Sequence, residues 1–367
     1  MERRASPPVD RKSRPCTQCT LALISAVAVV KTDRHMTRSP IPVLLLAFVI
    51  PSSALALPSD DLRAEANRLL VQAQKVAVFE PDIHGSPFHE HVDFLFSGLV
   101  QGEKKGTFVR DWVSKEQWRW KWELPDYQEI SVRSGSQVGE RETAEFESAR
   151  IQQLRWALPP FHLILGQNDL VKRIEPAKVN GLDAQCIKFE AVRGRARWDR
   201  EICINSANNT LARWSDERRQ IEWTDYVPFR TTFYPRHLVV KELGNKIIEA
   251  DIEFRDAPEF AEKPFDIPSD MRVRKACEHF TQPIVTKEQK PEYPRRVGVK
   301  SISAEVQVQV RVGIQGKVEA AQITETGGDD LDRAALDAVK KWEFEPAKCD
   351  GEPVSQKLPV TIHFGER

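Results

Sequence analysis

Cysteine has the most defined chemistry in this sequence, because two thiols at a suitable spacing can form a disulfide. Cys186 and Cys203 lie in two strand-like runs separated by a turn around Gly194. A two-residue hairpin turn there would place the two cysteines directly opposite each other. By elimination, Cys277 and Cys349 would form a second disulfide, although two free thiols would give the same sequence.

Metal-ligand chemistry has two candidate positions. Cys16 and Cys19 form a Cys-x-x-Cys pair, but no second pair follows at the spacing of a zinc site. A second cluster, in a predicted loop, comprises His84, His89, Glu90 and His91. Loop histidines without cysteine support are usually solvated. We therefore predict no bound metal and no cofactor.

Catalytic motifs are missing from the sequence. It contains no GxxxxGK[ST] phosphate loop, no GxSxG nucleophile turn and no HExxH zinc motif. No pair of carboxylates can be singled out as an acid and a base. We therefore expect a protein that is not an enzyme.

Three tryptophans alternate with charged residues in a predicted strand at 117–124. Because side chains alternate between the faces of a strand, Trp118, Trp120 and Trp122 share one face. These indoles would either pack in a core beneath a helix or form an apolar concave face. Such a face could receive an acyl chain or a hydrophobic peptide.

Charge is distributed unevenly along the 367 residues, although 54 basic and 54 acidic residues balance overall. Met36 begins a basic segment, followed by an apolar run at 41–50 and small residues at Ala54 and Ala56. This pattern predicts a secretory signal peptide cleaved after Ala56, preceded by an upstream extension; an uncleaved membrane anchor is the alternative. Removing residues 1–56 leaves 46 basic and 51 acidic residues, a net charge of −5. We expect a mildly acidic exported protein without a nucleic-acid partner.

Hydrophobic periodicity predicts a β-rich domain over residues 57–270. Residues 60–78 and 145–158 have helical spacing, whereas many short runs between 93 and 254 have the alternation of strands. A long antiparallel meander broken by one helix indicates a curved sheet or half-barrel.

A smaller unit is predicted after a linker at 271–290, which lies within a proline-rich connector at 256–296. Residues 304–314 alternate between valine and polar residues, and residues 329–342 have a helical apolar face. With strands at 317–324 and 356–364, the predicted order over residues 291–367 is β-β-α-β. The whole chain is therefore expected to be α+β.

Several motifs follow the linker in a fixed order. They are Pro291-Glu292-Tyr293-Pro294, Gly316-Lys317-Val318, Leu331-Asp332, Ala334-Ala335-Leu336, Val339, 342–347, 351–354 and 360–364. This series resembles the C-terminal domain of the TonB family of energy transducers, over about the last fifth of the chain.

The TonB resemblance implies binding of a short N-terminal segment of an outer-membrane receptor by strand addition, which needs an exposed sheet edge. The candidate partner-strand residues are Lys357, Leu358, Pro359, Val360, Thr361, Ile362 and His363. Pro359 would limit indiscriminate pairing at this edge. An ordinary edge strand and a homodimer edge are the alternatives.

The middle region resembles the LolA-like lipoprotein-carrier half-barrel. The features that carry this resemblance are the N-terminal helix, Pro87-Phe88, Trp118-Arg119-Trp120 and the segment 265–268. It implies a second possible function, a periplasmic carrier of lipid or lipoprotein that uses the tryptophan face. The first is an exported interaction module that binds an outer-membrane receptor or another periplasmic protein.

Overall fold

The computed structural model describes residues 59–77, 86–98, 102–159, 165–193, 196–260, 265–292 and 304–364. The predicted start at Met36, the cleavage site after Ala56, His84 and the turn at Gly194 lie outside these residues. Helices occupy Ser59–Val76 (α1), Ala149–Ala157 (α2) and Asp329–Val339 (α3). None of these helices combines the length and apolar character needed to cross a membrane.

Thirteen strands of the described residues form one large antiparallel sheet. They are β1 (Phe88–Phe96), β2 (Lys104–Ser114), β3 (Gln117–Leu124), β4 (Tyr127–Ser134), β5 (Gln137–Glu142), β6 (Leu170–Val179), β7 (Leu182–Arg193), β8 (Ala196–Asn205), β9 (Leu211–Asp216), β10 (Arg219–Phe229), β11 (Thr232–Glu242), β12 (Asn245–Asp256) and β13 (Arg272–Lys275).

The sheet consists of two meanders that meet at its centre. Strands β1–β5 follow one another to one side, strands β12–β6 to the other, and β1 pairs with β12. After β12 the chain returns to the far edge, where β13 pairs with β5. Within each meander, neighbouring strands are antiparallel because short turns join them.

One apolar core joins α1 and α2 to the sheet. It contains Ala66 and Leu70 of α1, Leu154 of α2 and inward residues of the strands, among them Phe88 and Trp122. Both helices thus cover the same apolar face of the sheet. The prediction of an α+β fold with a large curved antiparallel sheet is confirmed.

The smaller unit has its own core. Its further strands are β14 (Phe280–Thr281), β15 (Ile284–Lys287), β16 (Ala304–Val312), β17 (Val318–Glu325), β18 (Glu343–Glu345), β19 (Ala347–Cys349), β20 (Glu352–Val354) and β21 (Gln356–Phe364). Strands β17, β16 and β21 form a three-stranded sheet in that order. Val308 and Val310 pack with Val339 of α3 and with Trp342, as the alternation predicted.

The residues predicted as a linker at 271–290 are extended and mostly exposed. They pair at both ends, because β13 joins the edge of the large sheet while β14 and β15 pair with β19 and β18. The Trp342 indole donates a hydrogen bond to the Gln289 carbonyl, at 2.9 Å. The linker therefore lies along both parts of the chain.

Two element boundaries differ from the sequence prediction. The first strand begins at Phe88 rather than Asp93, because Phe88, Val92 and Phe94 continue one buried face. Helix α2 begins at Ala149 rather than Glu145, since Ser148 accepts a hydrogen bond from the Ile151 amide and caps the helix.

Both cysteine pairs are bonded. Cys186 lies opposite Cys203 in the β7–β8 register, with an S–S distance of 2.02 Å. Cys277, just after β13, is bonded to Cys349 of β19 at 2.03 Å. The second bond therefore links the smaller unit to the segment paired with the large sheet.

Candidate functional site

The predicted partner-strand residues all lie on β21, at one edge of the three-stranded sheet. β21 pairs with β16 along its whole length, from Gln356 opposite Val312 to Phe364 opposite Ala304. Within the described ranges β16 is its only paired strand. Main-chain groups along the other edge of β21 are thus in position to pair with an added strand.

The two faces of β21 differ in chemistry. Ile362 and Phe364 are buried in the core of the smaller unit, whereas Pro359, Thr361 and His363 are exposed. The exposed residues belong to an outer face that β16 continues with its own polar side chains. On this outer face Pro359 lies opposite Gln309, and His363 lies opposite Glu305.

Part of the outer face contacts the large sheet and α2. Lys357 donates to Glu142 of β5 at 2.7 Å, and the Arg311 guanidinium lies 2.8 Å from Glu145. A third contact joins α2 to β17, where the Gln153 amide donates to the Glu325 carboxylate at 2.7 Å. These polar contacts hold the beginning of β21 beside the large sheet.

A cavity of about 530 Å³ lies at this junction. Its aromatic lining residues are Trp120, Tyr127, Phe146, Trp156 and Trp223. Its charged lining residues are Glu129, Glu142, Glu147, Arg155 and Lys357. Gln152, Gln309, Gln356 and Pro359 complete the lining. The volume and the mixture of aromatic and polar groups are typical of a ligand pocket.

Arg155 of α2 organises the charged part of this cavity. Its Nη2 atom donates to Glu129 at 2.9 Å and to Glu147 at 2.7 Å. Burial opposes the charge of Arg155, but Glu147 and Glu129 outweigh it and raise the pKa of the guanidinium. Burial also raises the pKa of the Glu147 carboxyl, against the opposing effect of Arg155.

The three tryptophans of β3 occupy different environments. Trp122 is fully buried, with its ring centroid 4.4 Å from that of Phe108. Trp120 is partly buried and lines the cavity, while Trp118 packs 5.5 Å from Trp120. The Arg155 guanidinium covers Trp120 and Trp122 at 4.9 and 5.0 Å. The row of three tryptophans therefore extends from the core to the wall of the cavity.

The histidines His89 and His91 lie on β1, so the prediction that they belong to a loop is wrong. The apolar alternation of the strand extends through them. His89 Nδ1 lies 2.7 Å from Asp111, and His91 Nε2 lies 3.2 Å from Asp93. Among the described residues, one group had metal-ligand spacing, Cys186, Glu201 and Cys203, and its two cysteines form the disulfide.

A buried ion pair between Glu90 and Arg110 was not predicted from the sequence. Glu90 is fully buried on the core face of β1, and its Oε2 atom lies 2.6 Å from Arg110 Nη2. Arg110 also donates to the Pro159 carbonyl at 2.9 Å. The sequence signal that could have revealed it is the alternation of side chains along β1, which places Glu90 on the same face as Phe88 and Val92.

Comparison with known proteins matches the smaller unit to a protein family. Residues 289–365 match the family model of the Gram-negative bacterial TonB protein C-terminal. Protein TonB of Vibrio cholerae serotype O1 is 30% identical over 82 residues, 22% of this chain and 34% of that protein. Protein TonB of Xanthomonas campestris pv. campestris strain B100 is 31% identical over 75 residues, 20% of this chain and 34% of that protein. The chain thus spans about a third of the curated relatives it matches.

Among solved structures, a LolA superfamily protein from Nitrosomonas europaea resembles this chain. It has a TM-score of 0.35 and 8% identity, and the likeness covers 56% of this chain and 97% of that protein. The TonB resemblance noted in the sequence is therefore confirmed for the smaller unit. Residues 289–365 of this chain are similar to the C-terminal domain of the TonB family.

Proposed function

We propose that this chain is an exported periplasmic binding protein whose smaller unit captures an extended peptide by strand addition to β21. The partner is the N-terminal segment of an outer-membrane receptor or another envelope protein. The observation that carries the proposal is the edge position of β21 in a segment that matches the TonB C-terminal family. We also propose domains at 57–270 and 291–367, and a role in binding rather than catalysis.

Two features support strand addition as the mode of binding. The strand is nine residues long and pairs with β16 without a register shift, so its free edge is regular. Pro359 lacks a main-chain donor, which limits pairing to partners whose register tolerates its position. A regular edge with one such interruption favours selective pairing over aggregation.

The test uses residues 57–367 and synthetic peptides covering receptor N-terminal segments, with affinities measured by isothermal titration calorimetry. The proposal expects at least one peptide to bind with micromolar affinity. Each binding peptide is then compared with two versions N-methylated at alternate residues, one at the odd and one at the even positions, so that each version lacks the main-chain donors of one edge. Strand addition predicts that one of the two N-methylation patterns abolishes binding. Equal binding of all three forms would contradict it.

The lipid-carrier alternative has less support. Trp122 is fully buried against Phe108, and Arg155 covers Trp120, which lines the cavity. An acyl chain on this face would have to displace a guanidinium held by two carboxylates. Native mass spectrometry of residues 57–367 tests the alternative, because a carrier would retain co-purified lipid.

A further inference from the structure

Strand addition by itself does not select a side chain, because it uses main-chain groups. The cavity beside β21 can supply that selection. Lys357 and Pro359 lie on the outer face and line the cavity. Side chains alternate between faces, so every second residue of a strand added beside β21 would project on this same side. A side chain of the added strand directly opposite Lys357 or Pro359 would therefore lie beside the cavity.

The walls of the cavity favour a flat apolar group. Five aromatic side chains line it, contributed by β3, β4, α2, β10 and the segment before α2. Trp156 is 50% exposed on α2, although its ring packs at 4.7 Å from Trp214. An aromatic guest would cover this exposed indole and gain edge or stacking contacts with the other rings.

The charged groups of the cavity contact one another, three carboxylates with two cations. Glu129 and Glu147 share Arg155, and Glu142 accepts from Lys357. An anionic guest would meet the excess of carboxylates, and a cationic guest would have to compete with Arg155 or Lys357 for them, which is unfavourable in a partly buried site. The pairing therefore favours a neutral side chain.

Gln309 adds a polar requirement. It is only 4% exposed and lines the cavity, and its Oε1 atom accepts no hydrogen bond within the described residues. A buried amide oxygen normally has a donor. A peptide guest carries such donors in its main chain or at the edge of an indole or phenol ring.

From these contacts we infer that the cavity is a specificity pocket for a neutral aromatic residue of the partner peptide. The inference rests on the proposed strand addition and names the partner class, an extended peptide with one aromatic side chain placed over Pro359. It also predicts a periodicity, because only residues on the outer face of the added strand can reach the cavity.

The test uses the receptor peptide that binds most tightly in the assay above, with Phe, Ala or Lys placed at each position in turn. We expect Phe to bind roughly tenfold more tightly than Ala at one position. Positions one residue to either side should show no preference, because their side chains point to the opposite face. Lys should bind no better than Ala at the preferred position.

The protein variant Trp156→Ala removes one wall of the cavity, and Val71→Ala on α1 is a control of similar exposure, at 47%. The first should reduce the Phe preference to about twofold or less, and the second should keep the preference. Thermal unfolding of both variants verifies folding.

The outcomes separate the pocket from strand addition. Equal binding of Phe and Ala versions at every position would overturn the pocket and leave strand addition standing. A greater gain from Lys than from Phe would also overturn it. If no receptor peptide binds, the proposed function fails, and the pocket fails with it.

Discussion

The buried carboxyl of Glu90 gives the sharpest quantitative prediction. Burial raises its pKa to about 6 from 4.5, and the opposing attraction of Arg110 offsets only part of that effect. Because the folded-state pKa lies above the unfolded one, the native state binds the proton more tightly. The resulting stabilisation is complete below about pH 4.5 and is lost as the pH rises through 6.

The size of this effect follows from the shift. A difference of about 1.5 between the two pKa values corresponds to about 2 kcal/mol of unfolding free energy. The variant Glu90→Gln cannot titrate at this position. The free energy of unfolding of the wild type, minus that of the variant, should therefore fall by about 2 kcal/mol between pH 4 and pH 7.5.

Urea denaturation at closely spaced pH values measures this difference, and a ¹³C NMR titration of the glutamate carboxyls reports the Glu90 pKa directly. The matched control Glu253→Gln removes an exposed carboxylate from the neighbouring strand β12. It should give a much smaller change over the same range. A difference that rises with pH would contradict the prediction, because it would mean that Arg110 outweighs burial.

Three further predictions concern stability. Trp122→Ala should reduce the free energy of unfolding by about 3–5 kcal/mol, and Trp118→Ala by clearly less, since only Trp122 is fully buried; similar losses in urea denaturation would argue against this. Replacing both cysteines of Cys277–Cys349 by Ser should cost about 4 kcal/mol, against about 3 for Cys186–Cys203, because the sequence separations are 72 and 17. The reverse order in denaturation would count against the loop-entropy estimate. A double-mutant cycle of Lys357→Met and Glu142→Gln should give a coupling of about 0.5–1 kcal/mol for this half-buried pair. A coupling near zero would mean that the contact does not hold β21 against the large sheet.

Local sequence patterns predicted those strands and turns whose formation depends on residues close together in the chain. The valines of β16 alternate because one face of the strand is buried, and this spacing is visible in the sequence. The Cys186–Cys203 register followed from the length of one hairpin turn. Helix α2 was predicted too long, since the capping hydrogen bond at Ser148 depends on a single local geometry.

The candidate site was only partly predictable. The residues of β21 were predicted from motifs, but the cavity beside them combines side chains from distant parts of the chain. Trp120 and Lys357 are an example, since both line it although 237 positions separate them in sequence. Hydrophobic periodicity cannot predict that two such residues line the same cavity, because it describes one element at a time.

The strand-rich region, the β-β-α-β order of the smaller unit and its resemblance to TonB C-terminal domains were all predictable from the sequence. These properties depend on spacing along the chain and on ordered local motifs. The packing of the elements, by contrast, places Trp122 in the core and Trp120 at the cavity wall, and it brings Lys357 to Glu142. Burial and long-range contact depend on how elements pack, and packing couples residues that the sequence keeps apart.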